Sequence, residues 1–520
     1  MKEMNRRDFL KLIGAGTAFV SLPLVNACRT KKGLVTPKEG GGQGGEVGAH
    51  TTYFDRFGVD RQMIERILRE GLGRGGGFAD VFLQHKVSHW VQLEDGEVNR
   101  AYTKVDLGAG IRVLKGDATG FAYCEDLTED ALVAAARTAA TVASGPAVAR
   151  PKPLGAVEVK SQYPVPVPWT EVGIEKKVPL LQAADGIARK RDSRMIKVSV
   201  YFNDETSHIL VADSEGRLVE DDHPMVTFSV SCVGQHEGET ETGYESAASA
   251  DGLRFLTKER VRDVAERAVD HTAVLFGAES PPAGSMPVVL APGLTGILLH
   301  EAIGHGMEAD FNRKGISIYA DRIGKRIAPK GVNIYDDGTN PRMRGSINVD
   351  DEGTVGQKTL LVEDGVLRSY MHDRISANHY GVERTGSGRR QSFRYPPVPR
   401  MRNTYMASGS RKPEEIIRSV KRGIYAERFQ NGQVHIGAGD FTFYLKHGRL
   451  IEDGKLTKVI KDANLIGSGP KVLDKVDMVG DDLKMFSGAG YCGKDGQRVP
   501  VGFGMPTVRA GGISVGGRKS

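Results

Sequence analysis

The stretch Leu298-Leu299-His300-Glu301-Ala302-Ile303-Gly304-His305-Gly306 places two imidazoles and a carboxylate within six residues. Neutral imidazole is the commonest protein ligand for zinc, and a carboxylate beside two such ligands is the usual base for an activated water. The spacing is HExxxH, one residue longer than HExxH. On a regular helix, residues four apart share a face and residues five apart do not. The stretch must bend if both histidines hold one ion, and Gly304 and Gly306 mark a kink or helix end there. Two unrelated histidines on a helix would need no bend.

A catalytic zinc takes three protein ligands and keeps a position open. The residue types that could complete the set are Cys492, His372, His379, His435, His447, Glu308 and Asp310. Cys492 sits in Ser487-Gly488-Ala489-Gly490-Tyr491-Cys492-Gly493-Lys494, where flanking glycines let the backbone approach an ion. Its thiolate suits zinc better than magnesium or calcium. A small buried thiol in a tight turn is the competing reading, and residue types alone leave the third ligand open.

The elements that must carry these groups are legible in outline. Residues 58–150 read as a compact α+β domain. A helix begins at about 60, hairpin strands turn at Asp95-Gly96, and a further helix starts behind Thr128 as N-cap. A proline-spaced connector follows. Residues 165–277 read as a second domain, with a helix interrupted at Pro179, then strands, then a helix over 257–275. Pro281-Pro282 marks the next boundary. Residues 283–517 carry the HExxxH stretch, and hairpin signals recur at Asp337-Gly338, Asp364-Gly365, His447-Gly448 and Asp453-Gly454. One helix, residues 413–429, is expected among these strands. The fold class is therefore α+β: N-terminal α/β domains, then a large mixed, mainly antiparallel sheet domain bearing the metal-site helix.

The chain is 520 residues long and its composition is that of a globular protein. A net charge of +6 over this length does not argue for nucleic acid. The Gly-rich tail does not sit in a βαβ unit, which excludes a dinucleotide reading. Arg389, Arg390 and Arg394 form a small basic cluster that could receive a peptide carboxylate, line a channel or lie in a solvated loop. Glu308 and Asp310 are placed to orient a ligand histidine or to be simple polar residues after a helix.

Residues 1–28 read as a targeting segment. Asn5-Arg6-Arg7-Asp8-Phe9-Leu10-Lys11 before a modest apolar run matches a twin-arginine export signal. Leu24-Val25-Asn26-Ala27-Cys28 is similar to a lipobox, with Asn26 departing from its pattern, so a lipid anchor at Cys28 and plain cleavage near Ala27 both stand. Residues 29–57 are a Gly-rich linker, able to lift an anchored domain about 30 Å off a membrane. Export would place the chain in the periplasm or tethered outside the inner membrane. Without Cys28 the chain keeps Cys124, Cys232 and Cys492, an odd number that cannot all pair internally.

The same segments carry a resemblance. The HExxxH stretch runs into Glu308-Ala309-Asp310-Phe311-Asn312-Arg313-Lys314-Gly315. Later come Arg384-Thr385-Gly386-Ser387-Gly388-Arg389-Arg390, Pro399-Arg400-Met401-Arg402-Asn403-Thr404-Tyr405, Cys492-Gly493-Lys494-Asp495-Gly496-Gln497 and Gly502-Phe503-Gly504-Met505-Pro506-Thr507. Together these resemble the TldD/PmbA metallopeptidases, specifically the TldD-like, metal-binding subunit. The resemblance implies zinc held by His300, His305 and Cys492, with Glu301 as general base. It implies a homodimer or a heterodimer with a PmbA-like (TldE) subunit, and a closed channel that takes extended, unfolded peptides largely through backbone pairing. The alternative is a catalytically silent peptide-binding or scaffold subunit, against which the intact HExxxH and Cys492 argue. The export signal departs from the family's mostly cytoplasmic members, so their substrates need not transfer.

Overall fold

The computed structural model of the chain describes residues 51–435 and 437–516. The twin-arginine segment, Cys28 and most of the Gly-rich linker lie outside the described residues. The last residues assigned to that linker are already structured. Tyr53–Phe57 forms a 3-10 turn whose Phe54 is fully buried beside Ile64 and Ile67, because two phenylalanines and a tyrosine in five residues bury more apolar surface than a linker can leave in water.

Phe78–Glu94 and Glu97–Lys115 form the expected hairpin, turning on two left-handed residues, Asp95 (φ 51°) and Gly96 (φ 88°). Phe78–Glu94 then pairs antiparallel with Met195–Asp213 along its length, from Asp80 opposite Asp213 to Glu94 opposite Ser199. The two N-terminal regions therefore share one seven-stranded sheet. Two helix pairs cover it. Arg61–Leu72 and Glu129–Ala139 bury Ile64, Leu68, Leu132 and Ala136 over one part, while Ile174–Arg191 and Lys258–Ala273 bury Leu181, Ala184, Val264 and Ala268 over another. The helix Ile174–Arg191 is not interrupted at Pro179 but runs through it.

Two six-stranded sheets and two smaller two-stranded ones form the C-terminal region. One is ordered Lys455–Ser468, Asp440–Glu452, Arg422–His435, Gly284–Leu290, Val508–Gly516, Val476–Val479. Lys455–Ser468 also pairs with Val508–Gly516, through Asn464 opposite Gly516 and Ile466 opposite Ser514, so five of these strands close into a barrel. The other sheet runs Val366–Leu367, Lys358–Glu363, Ile334–Asp337, Asn403–Met406, Gly502–Met505, Lys484–Met485. Asp364-Gly365 and Asp453-Gly454 turn as expected. His447-Gly448 does not turn. It lies inside Asp440–Glu452, where a Cβ on Gly448 would come within 2.4 Å of the Tyr425 carbonyl oxygen.

The helix expected over 413–429 ends at Arg418, and Arg422–His435 is a strand. Pairing on both sides, with Asp440–Glu452 and with Gly284–Leu290, outweighs the local helical pattern there. The HExxxH segment packs Leu298, Leu299, Ala302 and Ile303 into one core with the barrel residues Ile424, Phe443 and Leu445.

Buried ion pairs tie the shared sheet to the C-terminal region. Arg112, without solvent exposure, pairs with Asp80 on the neighbouring strand and with Glu352 at 2.7 Å. The buried Arg374 also reaches the half-exposed Glu215 at 2.8 Å. The Arg389–Arg390 pair, which a solvated loop would have exposed, is buried. Arg389 donates to the carbonyls of Met401 (2.6 Å) and Pro500 (2.8 Å), and Arg390 donates to that of Asp351 (2.9 Å). Arg394 pairs with Asp106 and Glu125.

Candidate metal centre

The awkward spacing of the two histidines is resolved by the backbone. Ile297–Leu299 is a turn of α-helix, His300–Gly304 is a π-helical turn, and His305–Met307 closes as a 3-10 turn. A π turn absorbs one extra residue, so residues five apart return to one face. The chain neither kinks nor ends at Gly304, which keeps right-handed helical angles (φ −57°, ψ −50°). Glycine is required there for space. A Cβ at Gly304 would meet the Met401 sulfur at 2.1 Å, and one at Gly306 would meet the Tyr319 ring at 2.6 Å.

Cys492 arrives from a hairpin almost two hundred residues on. Tyr491–Lys494 pairs with Gln497–Pro500 around the left-handed residues Asp495 and Gly496. Strand alternation buries Cys492 and Lys494 on one face and turns Tyr491 and Gly493 to the other. Gly493 needs no close approach, since a Cβ there would meet nothing within 4 Å.

The structure brings together His300, His305 and Cys492, whose ligand atoms all lie within 4.8 Å of one another. The His300 and His305 rings stand 81° apart in plane, with centroids 5.2 Å apart. Cys492 Sγ is 3.4 Å from His305 Nε2. Both ring nitrogens of His300 are buried without a hydrogen-bond partner, an expensive arrangement that a bound cation would relieve. Three soft or borderline donors at this separation fit a zinc-like metal and leave room for a fourth ligand. The other residues weighed as third ligand fall elsewhere. His372 and His379 pack with Tyr380, His435 ends its strand, and His447 hydrogen-bonds to Glu427 and His271.

Glu308 and Asp310 support the site from behind. Glu308 Oε2 lies 3.0 Å from His305 Nδ1, which directs Nε2 toward Cys492. Lys494 Nζ bridges Glu308 (3.2 Å) and donates to Asp310 (2.7 Å) and to the Pro399 carbonyl (3.0 Å). Burial pushes the Glu308 carboxyl up, but Lys494 and then His305 outweigh it and hold it at about 2. Burial also disfavours charge on His305 and Cys492. Even so, Glu308 and Cys492 hold the imidazole well above its usual range, and His305 and His300 hold the thiol well below its own. Arg400, fully buried, donates to the Cys492 carbonyl at 2.5 Å.

Glu301 faces the other way. It retains 19% side-chain exposure, its Oε2 is 3.8 Å from His305 Nε2, and it opens on a cleft of about 650 Å³. The cleft lies between the strand Glu239–Ser249, which contributes Tyr244, and the barrel strand Arg422–His435. Beyond Ala426 that barrel strand has lost its parallel partner, so Gln430, Asn431 and Gly432 border the cleft from an edge unpaired among the described strands. Phe486 and Phe503 stack at 5.0 Å in its wall, and the Phe503 ring lies 6.1 Å from that of His300. Of the residues lining this cleft, Glu301, His447, Tyr491 and Phe503 lie in stretches that stand out in the sequence; Tyr244, Arg428, Gln430, Asn431 and Phe486 carry no such signal.

Three family models cover most of the chain: PmbA/TldA metallopeptidase domain 1 over residues 79–143, the central domain over 167–276 and the C-terminal domain over 283–517. The chain belongs to the PmbA/TldD metallopeptidase family. Among its relatives is the metalloprotease TldD homolog of Buchnera aphidicola, 40% identical over 467 residues, which span 88% of this chain and 96% of the relative. The zinc metalloprotease TldD homolog of Saccharolobus solfataricus is 31% identical over 320 residues, 61% of this chain and 71% of that one. The fold is that of TldE from Thermococcus kodakarensis, with a TM-score of 0.68 at 19% identity, covering 88% of this chain and all of the other. A PmbA/TldD metallopeptidase accounts for both the buried donor set and the cleft beside it.

Proposed function

We propose that the protein is a zinc-dependent peptidase that cuts extended peptides, with His300, His305 and Cys492 as ligands and Glu301 as general base. The observation that carries this reading is a buried His/His/Cys set, with both His300 ring nitrogens unpartnered, next to the Glu301 carboxylate that opens on a cleft. Zinc, when bound, supplies Lewis acidity toward the scissile carbonyl and the attacking water. Glu301 takes the water's proton and returns it to the leaving amine. Glu308 holds His305 in one tautomer, and Lys494 keeps Glu308 charged. The unpaired strand edge at Gln430–Gly432 offers backbone groups to an extended chain, a mode with affinity and little sequence preference.

The reading extends to assembly and location. The family and the TldE-like fold support a dimer with a TldE-like subunit. Arg6-Arg7 supports folded export, with the chain free in the periplasm or anchored through Cys28. Replacing both arginines with lysine should hold the protein in the cytoplasm, and cell fractionation reads this directly.

The deciding experiment is metal analysis of the purified protein, alone and with a co-expressed TldE-like partner, followed by digestion of an unfolded peptide. Stoichiometric zinc and cleavage are expected. Glu301→Ala should keep the zinc and abolish hydrolysis; normal turnover by that variant removes Glu301 as the base. A silent subunit would bind peptide without cutting it.

A further inference from the structure

The metal hairpin has a second face. Arg498 stands opposite Gly493, across from the strand that carries Cys492. Arg498 and Tyr491 are exposed where Cys492 and Lys494 are buried. The Arg498 guanidinium lies 4.7 Å from the centre of the Tyr491 ring, and that of Arg344 lies 4.4 Å from the same ring. Arg344 is engaged, donating to the Gly490 carbonyl at 3.0 Å and to Thr227 Oγ1 at 3.1 Å. The Arg498 side chain has no hydrogen bond or ion pair among the described residues.

This sets Arg498 apart from the other cations of the cleft. Arg428 is bound to Glu245 at 3.3 Å and to the Tyr244 carbonyl at 2.5 Å, and Lys446 lies 3.5 Å from Glu241. Arg498 borders both the cleft that holds Glu301 and a smaller cavity of about 120 Å³ against the shared sheet. Carboxylates near that smaller cavity are already occupied. Asp350 accepts the backbone N–H groups of Thr354 and Gly388, and Asp351 accepts that of Arg390.

An unpaired guanidinium beside a metal centre is a receptor for an anion. Its planar fork matches a carboxylate with two parallel hydrogen bonds, and stacking on Tyr491 fixes the plane in advance, so less freedom is lost on binding. We propose that Arg498 is a specificity-determining residue that receives a carboxylate of the peptide lying across Glu301. This inference rests on the peptidase reading for its substrate class. The carboxylate is either the peptide's own C-terminus or an aspartate or glutamate side chain a few residues from the cut.

The test uses the full-length zinc-loaded protein carrying Glu301→Gln, so that peptides bind without turnover. One unstructured fluorescent peptide is made in three forms: neutral with an amidated C-terminus, the same with a free C-terminus, and amidated with one glutamate. One carboxylate form should bind on the order of tenfold more tightly than the neutral form, and which one it is identifies the source. Adding Arg498→Gln should collapse that ratio toward one, and Arg498→Glu should turn the preference to a lysine-bearing peptide. Zinc content and circular dichroism confirm that each variant folds. An equal ratio with and without Arg498, or no discrimination in the parent, overturns the inference. Turnover of the neutral peptide by the unmodified enzyme is scored separately. Its absence counts against the peptidase reading, while discrimination without turnover leaves the carboxylate site standing.

Discussion

The backbone N–H of His305 donates to the carbonyl oxygen of His300, five residues back. That single π-type hydrogen bond turns the HExxxH spacing from an obstacle into a metal site. It brings the second imidazole back onto the face of the first and leaves Glu301 on the cleft side.

The π turn depends on close packing at Gly304. Gly304→Ala should cost about 1–3 kcal/mol of stability, because its Cβ would overlap the Met401 sulfur. Bound zinc should fall with it. Met401→Ala in the same chain removes the overlap and should restore zinc binding, while the cavity it leaves keeps stability below wild type. Urea unfolding and metal analysis of the two variants check this, and a Gly304→Ala protein with full stability and zinc would contradict it.

Cys492→Ala removes the only thiolate in the site and leaves His300 and His305 without a third donor. Zinc per chain should drop well below stoichiometric after dialysis against a weak chelator. Full occupancy in that variant would sink Cys492 as a ligand.

Lys494 holds two buried carboxylates. Lys494→Met would take the shared cation from Glu308 and Asp310 and leave Asp310 without an ion-pair partner among the described residues, at a cost of about 3–5 kcal/mol. It would also release His305 from its fixed orientation, weakening metal binding roughly 10–100-fold. Glu308→Gln keeps an acceptor for His305 and should weaken metal binding less. Zinc titration against a fluorescent competitor ranks the two.

The strand Glu239–Ser249 and the barrel are clasped by Glu245, which meets His271 (3.2 Å), Arg267 (3.2 Å) and Arg428 (3.3 Å). Burial pushes this carboxyl up, but the hydrogen bond to His271, then Arg428 and Arg267, hold it at about 2. A folded value below the unfolded one, near 4.5, means stability that is present above about pH 4.5 and lost as pH falls toward 2. Its full size is about 3 kcal/mol. Glu245→Gln lacks it at every pH. The gap in urea midpoint between wild type and variant should therefore narrow by roughly half or more from pH 6 to pH 3. A constant gap would refute the assignment.

Much of this protein is written locally. The HExxxH donors, the Asp95-Gly96 hairpin, the helix behind Thr257 and the breaks near 277–283 depend on residue type and short-range periodicity, which act over a few residues. Glu308 beside His305 was also within reach, three residues away. Other features were decided only by tertiary structure. The helical pattern after Arg418 yields to strand pairing on both sides of Arg422–His435. The sheet shared by the two N-terminal regions rests on Phe78–Glu94 meeting Met195–Asp213, more than a hundred residues away. Arg389 and Arg390 look like surface charge in the sequence and are buried clamps in the fold. Cys492 was one of seven candidates by residue type, and the hairpin that turns it inward also turns Arg498 outward. Local sequence can specify donors and turns because their energetics are local. Which donors meet, and which charges remain free, depends on contacts between segments far apart in the chain.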